Sequence, residues 1–302
     1  MIPDHEAALA AIRRHAPETP LTWLPDLGIW IKDERSLPSG SFKIRGAASW
    51  LANTSTRRHI VTASSGNHAH ALRWVLNATR DTRHLTVVVT TAADDRKIKS
   101  LVDSGCEIIY SEGNNEQRDR LARRLAHRWG ADYCSSHDDQ YVIAGQATVG
   151  AEILTAHPNT ATIVVPVGGG GLFAGTLIAA ACHGTAVRVV GVEPAGANSM
   201  VRSLAAGHRI VISQPDTQCD ALRACTPGAQ CFHLAQAHGA ELIEVSDTEV
   251  RHAQRLLVER IGPVEISAAA SVAGAIRLHL PAPVCVVTAG VPAQTYLAQP
   301  VS

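Results

Sequence analysis

The sequence predicts an α/β fold in which open, mostly parallel sheets are flanked by helices. Short β-branched runs alternate with longer helical stretches along the chain. Several runs, such as 85–90 (LTVVVT) and 162–167 (TIVVPV), are continuously apolar, which is typical of strands buried on both faces of a parallel sheet. The composition, 46% apolar and 18% charged over 302 residues, fits an ordinary globular protein with a large core.

The alternation predicts eight strands and eight helices. The strands are expected at 29–32, 59–62, 85–90, 107–110, 162–167, 187–192, 241–245 and 284–288. The helices are expected near 43–53, 67–79, 94–104, 114–129, 140–156, 170–183, 246–260 and 267–279. Ser246 and Glu249 form a capping box that begins one of these helices. The segment 194–232, rich in Gly, Pro and Cys, is predicted to be a functional loop region with only short helical pieces.

Charge and cysteine content exclude several classes of function. The 27 basic residues balance the 27 acidic ones, and the sequence has no basic run of the kind that would indicate binding to nucleic acid. No segment approaches the roughly twenty apolar residues of a membrane span, and the N-terminal region lacks the apolar run of a secretory signal. The seven cysteines contain no C-x-x-C pair. We therefore expect a cytoplasmic protein with reduced thiols and with neither a nucleic-acid nor a membrane partner.

Lys43, one of only four lysines, lies in the segment 39–47 (SGSFKIRGA) at the start of a predicted helix. Its neighbours Phe42 and Ile44 are apolar. Apolar surroundings penalise a charged amine, which lowers its pKa and makes it a usable nucleophile, and the aldehyde of pyridoxal phosphate is a suitable partner for it. The alternative is a surface lysine near a helix start, and the residues alone leave both interpretations open.

A second motif, Ser64-Ser65-Gly66-Asn67-His68, follows the strand at 59–62 and begins a helix. Small residues expose backbone N–H groups at a helix N-terminus, which suits a carboxylate. The alternative is a plain strand-to-helix turn in which Ser and Asn serve as helix caps.

A third motif, Gly168-Gly169-Gly170-Gly171-Leu172, lies between the strand at 162–167 and an apolar helix. Four glycines let the backbone wrap a phosphate whose charge the helix dipole favours. No Lys-Ser/Thr follows, as a Walker loop requires, and the G-x-G-x-x-G spacing of dinucleotide sites is absent. The alternative is a tight turn that permits close packing of helix and strand. Thr288, at the end of the last strand, would point into the crevice where open α/β sheets bind ligands.

Together and in this order, these segments resemble the tryptophan-synthase-like (fold type II) pyridoxal-phosphate (PLP) enzymes, in the branch of threonine/serine dehydratases and serine racemases. The similarity runs from the N-terminal helix to residue 290. It implies two lobes with the cofactor in the cleft between them. The large lobe would combine 1–46 and 143–302, and the small lobe would span 47–142.

The resemblance also implies roles for particular residues. Lys43 would form the internal aldimine and shuttle the Cα proton, Phe42 would lie against the cofactor ring, and Asn67 would bind the ring hydroxyl. The 168–171 loop with the Leu172 amide would hold the phosphate, and Thr288 would meet the pyridine nitrogen. The substrate would be seated by Ser64, Ser65, Gly66, Asn67, His68 and Arg118.

The implied activity is removal of water and ammonia from L-serine, L-threonine or a related β-hydroxy amino acid. The alternative within the family is a serine-type racemase, because Ser65 would face the side of the substrate opposite Lys43 and racemisation needs two opposed bases. β-Replacement, and a PLP-binding module without turnover, are weaker alternatives. Family members are typically dimeric, so we expect a homodimer.

Two departures from the family pattern concern neighbouring sites. The Cys219-Asp220-Ala221 sequence stands where the family has Ala-Asp-Gly. At the family's divalent-cation site Glu193 and Ala197 fit, but Ser199 replaces an acid, so we expect no tight magnesium site.

Overall fold

Two sheets organise the chain in the computed structural model, which describes residues 5–54, 57–64, 66–184, 186–280 and 284–288. Over these ranges the helices are α1 (His5–Ile12), α2 (Lys43–Asn53), α3 (Asn67–Ala78), α4 (Asp95–Asp103), α5 (Asn115–Trp129), α6 (Gln140–Ala156), α7 (Gly171–Cys182), α8 (Ser199–Ala206), α9 (Ala229–Ala237), α10 (Asp247–Ile261) and α11 (Ala270–Leu278). The strands are β1 (Leu21–Leu24), β2 (Ile29–Asp33), β3 (His59–Ala63), β4 (His84–Thr90), β5 (Glu107–Ser111), β6 (Asp132–Cys134), β7 (Thr162–Pro166), β8 (Arg188–Pro194), β9 (Glu241–Val245) and β10 (Val284–Thr288).

The larger sheet has six strands in the order β1-β2-β10-β7-β8-β9. The hairpin β1–β2 is antiparallel, and the remaining pairs are parallel. Successive residues of β7 pack into different cores, Val164 into one and Ile163 and Val165 into the other. Both faces are therefore buried, which explains why this strand reads as an uninterrupted apolar run.

The smaller sheet has four parallel strands in the order β5-β4-β3-β6. It shows the same alternation, since Val87 and Val89 of β4 pack into one core and Val88 into the other. The carboxyl end of β3 continues into the 64–68 segment, as the carboxyl end of β7 continues into the glycine loop. The two motifs that are predicted to bind anions thus follow the same end of their strands.

The eight predicted strands and eight predicted helices are present, with strand ends within two residues of the expected ones. The capping box of α10 is confirmed, because Ser246 Oγ accepts from the Glu249 N–H while the Glu249 carboxylate accepts from the Ser246 N–H. The segment 194–232 contains short helical pieces, as expected. They are the two-turn helix α8 and the first residues of α9, which continues to Ala237.

A buried ionic network fixes the position of α2. Arg45 is fully buried and forms salt bridges of 2.7 Å with both Glu34 and Glu152. Lys32 forms a 2.7 Å salt bridge with the same Glu152. The network joins the start of α2 to α6 and to the turn after β2, and Lys43 lies two residues before Arg45.

Within the described residues, no single helix is sufficiently long and apolar to cross a membrane. One pair bent by 96°, Asp247–Ile261 with Ile266–Leu278, has the required length and composition when the two helices are taken together.

Candidate active site

A cavity of about 450 Å³ lies beside the carboxyl ends of β3 and β7. Its volume is in the range of small-molecule sites. Its wall is formed mainly by the start of α2, the 63–68 segment, helix α5, the loop between β6 and α6, the glycine loop and the segment 220–228. Among its lining residues are Phe42, Lys43, Ser64, Gly66, Asn67, His68, Arg118, Ser136, His137, Gly168, Gly169, Gly170, Gly171, Leu172, Asp220 and Glu265.

Lys43 is the first residue of α2 and is half-buried in this cavity. Its Nζ donates a 2.7 Å hydrogen bond to the carbonyl oxygen of Ser136 and lies 5.0 Å from the centroid of the Phe42 ring. Burial lowers the pKa of Lys43 to about 8, against the opposing effect of the nearby Cys231 and Cys134 thiols. The amine is therefore partly unprotonated near neutral pH, as a nucleophile requires.

The other three lysines differ in one respect, since each has a carboxylate partner. Lys32 is paired with Glu152 at 2.7 Å, Lys97 with Asp220 at 2.6 Å and Lys99 with Asp103 at 2.8 Å. A nearby carboxylate stabilises the charged amine. Lys43 is thus the lysine whose setting favours the reactive form, which decides between the two interpretations that its sequence neighbours left open.

The glycine loop begins α7 and leaves the first turn of the helix open to the cavity. Gly170 has a φ of +97°, which favours glycine, and no side chain caps α7 at its N-terminus. A Cβ at Gly169 would lie 2.3 Å from Cγ of His137, and one at Gly171 would lie 2.8 Å from the His137 carbonyl oxygen. Close packing therefore requires glycine at these positions. The missing side chains also leave the N–H groups at the start of α7 accessible to a phosphate.

The 64–68 segment forms the N-terminus of α3. Gly66 occupies the cap position without a side-chain hydrogen bond to the helix, and its N–H donates to Ser64 Oγ at 3.3 Å. His68 is buried, and its Nε2 lies 3.6 Å from Cys134 Sγ. Burial lowers the pKa of His68 well below its ordinary value, so the imidazole is neutral. Ser65 lies outside the described residues.

Two polar contacts cross the cavity. Asn67 Nδ2 donates to Glu265 Oε2 at 3.3 Å, and Lys97 is paired with Asp220. Burial, followed by the charge of Asp220, raises the pKa of Glu265 to about 7. Asn67 and Lys97 belong to helices that follow strands of the smaller sheet, whereas Asp220 and Glu265 follow strands of the larger one. The contacts therefore hold the two walls of the cavity together.

Arg118, on α5, lines the same cavity with its side chain 14% exposed, and its guanidinium donates to Asp119 Oδ1 at 2.9 Å. The contact of Arg118 with a substrate carboxylate stays a prediction. Thr288 ends β10 beside Asp33 of β2, but its side chain lies outside the described residues.

At the family's cation position, both oxygens of Glu193 accept backbone hydrogen bonds. Its two carboxylate oxygens accept from the backbone N–H groups of Met200 and Val201 at 2.9 and 2.8 Å, and burial raises its pKa to about 8. A carboxyl group held in this way caps α8. The expectation that no tight magnesium site forms here stays a prediction.

The sequence analysis missed the loop 135–139 (SSHDD), which supplies Ser136 and His137. Asp138 accepts from the N–H groups of Ala229 and Gln230 at 2.9 and 2.8 Å and so caps α9, while Asp139 caps α6. Ser136 Oγ lies 2.9 Å from His137 Nδ1, and burial lowers the pKa of His137. The two acids before α6, Asp138 and Asp139, could have indicated a capped helix start. The loop was missed because the preceding strand β6 has only three residues and so gives little sequence pattern.

The residues present fit pyridoxal phosphate. An amine of lowered pKa, an aromatic ring beside it, an open helix N-terminus behind a glycine loop and an amide at the opposite wall all line one cavity. These are the groups that an aldehyde, an aromatic ring, a phosphate and a ring hydroxyl need.

Comparison with known proteins supports this assignment. The family described as pyridoxal-phosphate dependent enzyme matches residues 12–290. An L-threonine ammonia-lyase of Thermotoga maritima is 33% identical over 235 residues, 77% of this chain and 58% of the relative. A serine racemase of Oryza sativa subsp. indica is 32% identical over 252 residues, 82% of this chain and 74% of the relative. This chain thus spans less than two thirds of the length of the ammonia-lyase.

A solved structure of maize serine racemase superposes with a TM-score of 0.89 at 28% identity, covering 98% of this chain and 96% of that one. The fold agrees with the expectation of parallel sheets flanked by helices. The chain belongs to the pyridoxal-phosphate dependent enzymes of fold type II.

Proposed function

We propose that the chain is an ammonia-lyase that converts L-serine, L-threonine or a related β-hydroxy amino acid to a 2-oxo acid and ammonia. The observation that carries the proposal is the half-buried amine of Lys43, with a pKa lowered to about 8, in one cavity with the open N-terminus of α7. The name of the Thermotoga maritima relative supports the reaction class.

The cofactor, when bound, supplies an aldehyde that joins an amine and a ring that withdraws electrons from Cα. The N–H groups of the 168–171 loop and of Leu172 would hold its phosphate, Phe42 would lie against its ring and Asn67 would bind the ring hydroxyl. Thr288 would meet the ring nitrogen. Glu265, which accepts from Asn67 at 3.3 Å, orients the amide for that contact.

Lys43 would take the proton from Cα of the substrate. Its amine is partly unprotonated near neutral pH, which suits a general base. The Ser136 carbonyl, 2.7 Å from Nζ, holds the amine at a fixed place in the cavity when the lysine is free. Loss of the Cα proton and of the β-hydroxyl, which leaves as water, produces an enamine, and hydrolysis of that enamine consumes water and releases ammonia and the 2-oxo acid.

The substrate carboxylate would be seated by the α3 N-terminus, formed by Ser64, Ser65, Gly66, Asn67 and His68, with Arg118 nearby. The uncapped start of α3 favours an anion. His68 is held neutral by burial and adds no positive charge of its own, so the helix terminus and Arg118 supply the attraction.

A serine-type racemase is the second candidate function. It is favoured by Ser65 in the 64–68 segment and by the similarity to the rice racemase. In that case Lys43 and Ser65 would act as opposed bases on the two faces of the substrate.

One experiment separates the two functions. The purified holoenzyme is incubated with L- and D-serine and with L- and D-threonine, and release of 2-oxo acid and loss of optical purity are followed together. We expect oxo acid from the L-substrates. Racemisation without oxo acid would overturn the lyase proposal, and Ser65→Ala should then stop it. Lys43→Ala is the control, since it should abolish both activities and the visible absorbance of the bound cofactor.

We further propose a homodimeric, cytoplasmic enzyme with a small lobe at 47–142 and a large lobe formed by 1–46 and 143–302. The smaller sheet, whose strands lie between His59 and Cys134, supports this division. Light scattering coupled to size exclusion measures the oligomeric state, and a monomeric mass would overturn the dimer.

A further inference from the structure

A cluster of metal-ligating side chains lies at the edge of the smaller sheet remote from the cavity. The strands β3, β4 and β5 begin with His59, His84 and Glu107. Because these strands are parallel, their first residues lie at one edge, and the cavity lies at the other, where β3 ends at Ala63. The cluster is therefore separate from the active site.

The sheet register places these side chains on one face. His59 is the partner of His84, and Glu107 is the partner of Thr86, two residues after His84. Residues two apart on a strand point to the same side of the sheet. The ligand atoms of His59, His84 and Glu107 all lie within 4.8 Å of one another.

Hydrogen bonds already converge on this point. Thr86 Oγ1 donates to Glu107 Oε2 at 2.5 Å and so accepts from His59 Nε2 at 2.8 Å. His84 Nε2 lies 3.0 Å from the same Glu107 oxygen and donates to it. Two imidazole N–H protons thus point at one small region beside a carboxylate, and a divalent cation would replace both protons there.

We propose that His59, His84 and Glu107 bind a divalent transition-metal ion of the zinc, nickel and copper class. Two imidazoles and one carboxylate are a donor set that these metals prefer, and hard cations such as magnesium prefer oxygen ligands. Metal–ligand distances of about 2.0–2.1 Å require the ligand atoms to approach to roughly 3.3 Å in tetrahedral geometry. His84 and Glu107 have the freedom for this movement, since their side chains are 54% and 49% exposed.

The surroundings of the cluster orient its ligands. The ring of His59 stacks on Trp129 with centroids 5.1 Å apart, and Thr86 is fully buried beneath the cluster. Because His84 and Glu107 are exposed, water can occupy the fourth coordination position of the metal ion.

Calorimetric titration of the metal-free holoenzyme with Zn²⁺ tests the proposal. We expect one ion per chain, with affinity at least about tenfold weaker in His84→Ala and in Glu107→Gln, and roughly 10–100-fold weaker in Thr86→Val, which removes an outer-shell partner. The matched control is His252→Ala, which removes an exposed histidine of α10 and should leave the affinity unchanged. Unchanged cofactor absorbance shows that each variant is folded.

Cu²⁺ provides a local readout, because Trp129 stacks directly on His59. Binding should partly quench tryptophan fluorescence, and Trp129→Phe should abolish this quench while calorimetric Zn²⁺ binding persists. Absence of stoichiometric Zn²⁺ binding, or binding of equal affinity in the His84→Ala variant, would overturn the proposal. Neither outcome bears on the proposed lyase activity, which depends on the opposite edge of the sheet.

Discussion

Replacement of Arg45 by alanine tests whether the buried ionic network holds α2 in place. The guanidinium is fully buried, and its N–H groups donate to Glu34, Glu152, Thr148 and Thr19. Without it Glu152 keeps Lys32 at 2.7 Å, but Glu34 keeps only the hydroxyl of Thr19 as a partner among these groups. One buried carboxylate therefore loses its compensating charge.

Removal of one partner from a buried ion pair costs about 3–5 kcal/mol. We expect the Arg45→Ala variant to lose about 4 kcal/mol of stability, which corresponds to a fall in Tm of roughly 6 °C for a chain of this size. Thermal unfolding with cofactor at a fixed saturating concentration measures the change, because cofactor binding itself raises Tm.

Arg188→Ala is the matched control. Arg188 is paired with Glu241 at 2.6 Å, but both side chains are 43% exposed, so its loss should cost at most about 1 kcal/mol. The double variant Arg45→Met/Glu34→Gln should be more stable than Arg45→Ala, because it removes the uncompensated charge. The reasoning is refuted if Arg45→Ala lowers Tm no further than Arg188→Ala does.

Three further predictions concern the cavity. Gly169→Ala places a Cβ 2.3 Å from Cγ of His137, so we expect a loss of about 1–3 kcal/mol in stability and weaker cofactor binding. Unfolding and cofactor titration measure these two effects. An unchanged cofactor affinity would contradict the expected clash. The rate at which the cofactor-free protein captures pyridoxal phosphate should rise with pH with a midpoint near 8, the lowered pKa of Lys43. A midpoint near the ordinary value of 10.5 in stopped-flow absorbance would contradict this prediction. Burial raises the pKa of Glu265 to about 7, above the value of about 4.3 expected when unfolded, so ionisation destabilises the fold progressively between these values and fully above the higher one. Glu265→Gln should therefore gain more stability relative to wild type at pH 8 than at pH 5, and equal differences at the two pH values would contradict this linkage.

The regular elements were predictable because their signals are local. The buried parallel strands read as apolar runs, and the long amphipathic helices carry their own caps, as Ser246 and Glu249 show for α10. The sequence analysis missed β1 and β6, which have four and three residues. Strands this short carry little pattern and depend on pairing with neighbours already in place.

The candidate site was predictable to the extent that its residues lie in motifs. Lys43, the 64–68 segment and the glycine loop were each visible, and parallel strands bring their carboxyl ends to one edge. The contacts that join them were not visible. Lys43 meets the carbonyl of Ser136, 93 positions away, and Lys97 meets Asp220, 123 positions away, and neither pair has a local signature in the sequence.

The reactivity of Lys43 follows from where the fold places carboxylates. Each of the other lysines has an acid within 2.8 Å, whereas Lys43 meets a neutral carbonyl and buried thiols. An acid beside Lys43 would hold α2 firmly but would also keep the amine protonated. The structure separates these two demands, because Arg45, two residues further along the same helix, forms the ion pairs with Glu34 and Glu152. Anchoring of the helix thus leaves the lysine without a counter-charge, and its amine is available for the cofactor.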